Sequence, residues 1–147
     1  MTVVVSAKRA LVGAGNPLEA LLGSKVAVSY SPPGVMPREV VYGGPVVGPV
    51  ELLAMAGGDR VKRREDLQLQ LTVRVHQPGM RTTEESDARA AEIGEVICLW
   101  IAKNWTLGGV PDLKSAKVSG LDLGSWLDDD GAYSELQITV ALMSTLN

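Results

Sequence analysis

The sequence of 147 residues contains one cysteine, one histidine and no phenylalanine. A single cysteine excludes an internal disulfide and a cysteine-rich zinc site. With only one imidazole and one thiol, most metal clusters and nucleophilic dyads are excluded as well. Three tryptophans and three tyrosines are the remaining aromatic side chains. The core must therefore be built mainly from valine, leucine, isoleucine and alanine.

The chain also lacks an excess of positive charge, a long apolar run and a leader-like start. Its net charge of −3 argues against a general nucleic-acid binder, which needs clustered lysine and arginine. No stretch is long and apolar enough to span a bilayer. The first residues lack the order of a signal peptide, so we expect synthesis in the cytoplasm. The length and the 46% hydrophobic composition predict one domain with a core, spanning residues 1–147.

Two helical regions are predicted from apolar residues that recur at three- and four-residue steps. The first covers residues 7–22, where Pro17 predicts either a kink near Asn16 or two short helices, the second opened by Pro17. Gly23 is a natural stop. The second region begins at a capping box over residues 82–85 and runs to about Asn104. Its predicted buried stripe consists of Ile93, Val96, Ile97, Trp100 and Ile101.

Alternating apolar residues predict strands before and after the long helix. The clearest strand places five apolar side chains on one face, namely Leu67, Leu69, Leu71, Val73 and Val75. Shorter strands are predicted at residues 26–30, 38–42 and 50–55, and residues 57–64 read as a flexible basic loop. After the helix, two strands follow, with a bulge at Gly120. These elements predict an α+β fold: an antiparallel or mixed sheet, with the long helix packed across one face and a helix at the N-terminus.

The candidate chemical motifs are weak. Gly13-Ala14-Gly15 lacks the third glycine and the preceding strand of a dinucleotide site. His76 has no serine or cysteine motif beside it, so a surface or subunit-interface histidine is the preferred interpretation. Cys98 flanks the apolar stripe as a small core residue. We therefore predict a protein without catalytic residues, cofactor or bound metal.

Three features are candidate subunit or stacking surfaces. The only basic cluster consists of Arg60, Lys62, Arg63 and Arg64. It is either a solvated loop or a contact for DNA or an acidic partner surface. Asp128, Asp129 and Asp130 form an acidic turn, whose spacing does not follow that of a calcium loop. Trp105 and Trp126 lie near element ends, where each is either an interface anchor or a lid on the core.

The order of the motifs resembles the tail terminator, or tail completion, proteins of siphoviruses, the phages with long non-contractile tails. The resemblance covers nearly the whole chain and is strongest from residue 63 onward. It rests on YSPPG at 30–34, PREVVY at 37–42, RRE at 63–65, VHQPG at 75–79, TEESDARA at 83–90, IGEVI at 93–97 and LGGV at 107–110.

This resemblance implies a homo-oligomer, a ring of six copies at the head-proximal end of the virion tail. Its implied partners are the tail-tube protein below and the neck, or head–tail connector, protein above. The ring would stop tube growth, and viral DNA would pass through its lumen without sequence-specific binding. A closed ring needs two different patches per subunit. The basic cluster and the acidic turn are candidates because their charges are opposite, and reversing the charge of Arg63 and Arg64 should impair assembly.

Three other functions compete with this one. A neck protein and a tail-tube subunit belong to the same particle. Tube subunits usually present a long hairpin loop for stacking, and residues 43–64 are the only segment of this chain that offers one. A small-ligand-binding or enzymatic α+β domain would need polar residues converging on an apolar pocket, and no such set can be assembled from the sequence.

Overall fold

A computed structural model of the chain describes residues 3–48, 50–56 and 60–146. These ranges contain three helices and six strands. In chain order they are α1 (Val3–Val12), α2 (Pro17–Leu22), β1 (Ala27–Ser29), β2 (Glu39–Val47), β3 (Val50–Ala56), β4 (Arg60–Pro78), α3 (Glu84–Lys103), β5 (Leu113–Asp128) and β6 (Gly131–Leu146).

The strands form one mixed sheet in the order β1-β2-β4-β6-β5, with β3 paired to the first residues of β4. Among the strand pairs of the described residues, β1 and β2 are parallel and the other four pairs are antiparallel. Strand β4 is the central and longest strand of this sheet, and it pairs with β6 from Arg63 to Pro78. The predicted α+β fold with a mixed sheet is confirmed.

The helices cover one face of this sheet, and the core lies between the two layers. All five predicted apolar residues of β4 are buried beneath the helices, from Leu67 to Val75. From α3, Ile93, Ile97 and Ile101 are buried against them. Val96 and Trp100 are only partly buried, because they lie on the flank of α3 that faces α2 rather than the sheet.

The N-terminal region forms two short helices, as one of the two alternatives predicted. Asn16 caps α2 by accepting a hydrogen bond of 3.0 Å from the Glu19 amide, and Pro17 occupies the first turn. Gly23 ends α2 with a positive φ of 82°, a conformation that glycine adopts without strain. The strand predicted at residues 26–30 is shorter than expected, and that predicted at residues 38–42 extends to Val47.

Half of the predicted capping box of α3 is confirmed. The Thr82 hydroxyl accepts from the Glu84 amide at 3.3 Å, as a capping threonine does. Glu85 forms no hydrogen bond back to the cap among the described residues, and the Thr83 side chain makes no capping hydrogen bond. Buried serines then fix the first turn to β6, since Ser86 Oγ lies 2.7 Å from Ser134 Oγ.

The predicted flexible basic loop is wrong for its described part. Residues 60–64 begin β4, and they pair with β3 on one side. Arg63 and Arg64 also pair with the end of β6 on the other side. Residues 57–59 of the predicted loop lie outside the described residues. The bulge predicted at Gly120 is confirmed by a register shift between Val118 and Gly120.

Candidate assembly surfaces

The sheet face opposite the helices is polar and has no layer packed on it among the described elements. Cross-strand pairs of β4 and β6 order this face. Gln70 Nε2 donates to Thr139 Oγ1 at 3.1 Å, and Thr72 Oγ1 donates to Gln137 Oε1 at 2.9 Å. These pairs hold the side chains of the open face in fixed positions.

Charged and aromatic side chains continue this open face toward the end of β4. Arg74 pairs with Glu135 at 3.6 Å. His76, Tyr133 and Trp126 stack across β4, β6 and β5, with ring centroids 4.2 and 5.1 Å apart. Loss of solvent raises the pKa of Tyr133, and the charges of nearby aspartates raise it further. His76 Nε2 also lies 3.2 Å from the Asp130 carbonyl oxygen. The imidazole thus stacks on Tyr133 and contacts the main chain of the turn after β5, as part of the sheet surface.

The basic cluster lies at one end of the sheet. Arg60, Lys62, Arg63 and Arg64 are all in the first part of β4. Arg64 is exposed, and its Nε lies 3.1 Å from an Asp66 carboxylate oxygen. Surface pairs of this kind contribute little to stability. The Asp66 carboxylate nevertheless partly neutralises the charge of Arg64 at this end of the sheet.

The acidic turn lies at the opposite end. Asp128 ends β5 and its carboxylate accepts from the Asp130 amide at 2.8 Å, while Asp129 is exposed at the tip. Gly131 pairs with Pro78, at the last position of β4. At the usual rise per residue, the acidic turn and Arg64 are about 45 Å apart along β4. The structure thus does not bring the two charged candidates together within one chain.

Trp105 follows α3 and is 62% exposed. Its carbonyl accepts a hydrogen bond of 2.6 Å from the Ala116 amide, so the loop after α3 covers the edge of β5 at that point. Beyond Gly120 every residue of β5 is exposed. Trp105 thus lies beside the covered half of this edge strand.

The other sequence candidates lie apart from these surfaces. Residues 13–15 follow α1 rather than a strand, which removes the main requirement of a dinucleotide site. Burial raises the pKa of the Cys98 thiol, and the charge of Glu95 adds to the shift. Among residues 3–48, 50–56 and 60–146, no group of three metal-ligating side chains occurs. Within the same ranges, no helix is long and apolar enough to cross a membrane.

Comparison with known proteins gives little. No protein-family model matches the chain, and no curated protein does. A chain of a solved structure described as "Virion of native gene transfer agent (GTA) particle" is 16% identical, with a TM-score of 0.48. The match covers 99% of this chain and 95% of that chain. A likeness at this level carries no conclusion about function.

Sequence reasoning missed two features. Leu121, Leu123 and Leu127 are 61%, 45% and 50% exposed on β5, although alternation there resembles an ordinary half-buried strand. Glu65 is fully buried, and its carboxylate finds no hydrogen-bond partner within the described part of the chain. The exposed leucines depend on β5 lying at the sheet edge, which only the strand order reveals.

Proposed function

We propose that this chain is a structural, non-enzymatic virion protein, the tail terminator of a long-tailed phage. In this proposal six copies form a ring on the head-proximal end of the tail tube. The ring stops tube growth and presents a docking surface to the neck protein. The motif order of the sequence resembles that family, and the geometry of the subunit is consistent with it.

The observation that carries the proposal is the separation of two unlike surfaces at the ends of one long sheet. A ring that sits between a tube and a neck needs a different contact face toward each. The basic start of β4 and the tip of the acidic turn, Asp129 and Asp130, supply such faces, about 45 Å apart along the strand. Tube-capping and neck-binding experiments with charge-reversed variants determine which face contacts the tube protein and which contacts the neck protein.

The open sheet face suits the wall of a DNA conduit. Polar side chains of its central strands are paired with one another, and two of its cations, Arg74 and Arg64, are paired with Glu135 and Asp66. Lys117 is exposed on the same face and forms no ion pair among the described residues, so this face carries few free cations. A wall lined with free cations would bind phosphates and slow the passage of DNA. We therefore propose that the helices face outward and the polar face lines the lumen.

The test begins with the mass of the purified chain by light scattering, followed by negative-stain imaging. The expected result is a six-fold ring with a central hole, or a monomer that caps one end of tail tubes assembled from the tube protein of the same virus. A monomer that binds neither tubes nor neck protein would refute the proposal. The charge reversal of Arg63 and Arg64 should impair the capping of tubes, and normal capping by that variant would refute the role of the basic end.

A tail-tube subunit is the second candidate, because β3 and the start of β4 form a hairpin. Val50 pairs with Glu65, and Ala56 pairs with Arg60. Such a hairpin is what tube subunits use for stacking. The two functions predict different products: a tube subunit polymerises alone into long tubes, whereas a terminator stops at a single ring. A neck protein, the third candidate, would differ from a terminator because it would not bind tube ends that lack a terminator.

A further inference from the structure

The two edges of the sheet differ in charge and are both lined by apolar side chains. The exposed half of β5 carries four large apolar side chains and two acids, namely Leu121, Leu123, Trp126, Leu127, Asp122 and Asp128. Long apolar edge strands are rarely left open, because their unpaired amides and carbonyls recruit another strand. The covered half of β5, beside Trp105, shows that this chain protects only part of that edge.

The opposite edge, formed by β1 and the loop after it, is basic. Lys25 precedes β1, and Arg38 precedes β2. Both side chains are exposed, and neither forms an ion pair among the described residues. Tyr30, Val35 and Met36 are 38%, 88% and 36% exposed on this flank. Lys8 adds another cation, with Nζ 4.3 Å from the Tyr30 ring centroid.

The pairing registers place the two edges at the same height. Ala27 is level with Val40, which pairs with Arg74, and Arg74 pairs with Glu135 opposite Gly124. By the same chain of pairs, Ser29 is level with Asp122. The three residues of β1 therefore stand level with residues 122–124, inside the exposed half of β5. In addition, β1 runs antiparallel to β5, as the strand directions require.

We infer that the exposed half of β5 binds the β1 edge of a second copy of this chain, so that the sheet continues from one subunit into the next. In this contact residues 27–29 lie opposite residues 122–124 in antiparallel pairing. Lys25 of the second copy then lies beside Trp126 and Asp128, where it gains a cation–π contact and an opposite charge. The exposed leucines lie against the flank that carries Val28 and Tyr30.

The contact joins two different patches, one from each copy, and so it can repeat around a ring. This inference rests on the proposed function, because the closed ring is part of that function. It adds the surfaces through which neighbouring subunits of the ring contact each other. Asp128, at the end of β5, thereby obtains a cationic partner at its own height, whereas the basic cluster lies at the other end of the sheet. Asp129 and Asp130, at the tip of the turn, remain available for the axial contact.

The test uses two charge-reversal variants of the full chain, Asp128→Lys and Lys25→Glu. Each alters an exposed side chain at one edge and leaves the other edge intact. Alone, Asp128→Lys places a cation beside Lys25 of its neighbour, and Lys25→Glu places an anion beside Asp128. Each variant should raise the concentration at which half of the chains are assembled by about tenfold at low salt. Circular dichroism would show that both remain folded.

Mixing the two variants restores matched charges at every contact of an alternating ring. One kind of contact joins Lys at position 128 to Glu at position 25, and the other is native. Equal amounts of the two variants should therefore assemble near the wild-type concentration. Glu95→Lys, on the outer face of α3, and Lys114→Glu, near the start of β5, are matched charge-reversal controls with exposed side chains. Both controls should assemble as the wild type does.

Several results would overturn this inference. They are a wild-type chain that stays monomeric in solution and on tail tubes, variants that assemble normally, or a mixture that does not recover. Capping of tail tubes separates this outcome from the fate of the proposed function. If the wild type caps tubes and the edge variants do so equally well, the lateral contact is wrong and the terminator function stands. If the edges assemble as inferred but no tube is capped, the terminator function is wrong.

Discussion

Replacing Gly94 with alanine is expected to destabilise the chain, although alanine is the better helix former. Gly94 lies in α3 directly above β6, and a Cβ added there would overlap the Cδ2 atom of Leu136. Leu136 is 6% exposed, so its side chain has little room to move away. The glycine thus sets the distance between the long helix and the sheet.

The two opposing effects have known sizes. Alanine in place of glycine inside a helix stabilises it by about 1 kcal/mol. Overpacking in a filled core costs about 1–3 kcal/mol. The net prediction for Gly94→Ala is a loss of about 1 kcal/mol in the free energy of unfolding, or a fall of about 3 °C in the melting temperature. The exposed Ala91 in the same helix, replaced by glycine, measures the helix-propensity effect without any packing change.

Urea denaturation of a double-mutant cycle tests the cause. Leu136→Ala alone should cost about 2–5 kcal/mol, because it leaves a cavity. In the double variant the new methyl group at position 94 occupies part of that cavity. The combined cost should therefore be smaller than the sum by at least about 1 kcal/mol. A stabilised Gly94→Ala variant, or strictly additive costs, would refute the close approach of helix and sheet.

Two further predictions concern charged and titrating groups. Arg89 binds both carboxylate oxygens of Glu39, at 2.6 and 3.0 Å, so Glu39→Gln should lower the free energy of unfolding in urea by about 1–2 kcal/mol. Glu92→Gln, whose side chain is 68% exposed, should change it by less than about 0.5 kcal/mol; equal effects would contradict the role of the first pair. The second prediction is an ultraviolet titration in which the pKa of Tyr133 lies above its ordinary value of 10.0 and falls in Asp128→Asn. Because the folded chain holds this proton more tightly than the unfolded chain does, this group's contribution to stability is lost as the pH rises above 10; an unshifted midpoint would contradict the stacked, desolvated ring.

The long elements could be predicted because their local patterns agree with their tertiary setting. The five alternating apolar residues of β4 predicted one buried face, and the 3.6-residue period predicted α3 to within one residue of its end. The start of β4 could not be found in this way. Its basic residues look like a solvated loop, and the strand there is defined by main-chain pairing with β3 and β6, to which local propensity contributes little.

The interaction surfaces were harder to predict than the elements. The acidic turn and the basic cluster are visible in the sequence, but their separation depends on the register of β4 with β6. The exposure of Leu121 and Leu123 depends on β5 lying at the edge, and strand order is a long-range property. The start of α3 shows the same limit, because Ser86 is fixed by Ser134, a residue 48 positions later.

Under the proposed function, the register separates contacts along the tail axis from contacts around the ring. Arg64 is level with Thr145 at one end of the sheet, whereas Lys25 lies near the level of Trp126 toward the other. Charge reversal at Arg64 should therefore leave rings intact and reduce their binding to one axial partner. Charge reversal at Lys25 should prevent the rings themselves from forming. If both reversals produced the same defect, the ends and the edges of the sheet would not have separate roles, and the axial assignment would fail.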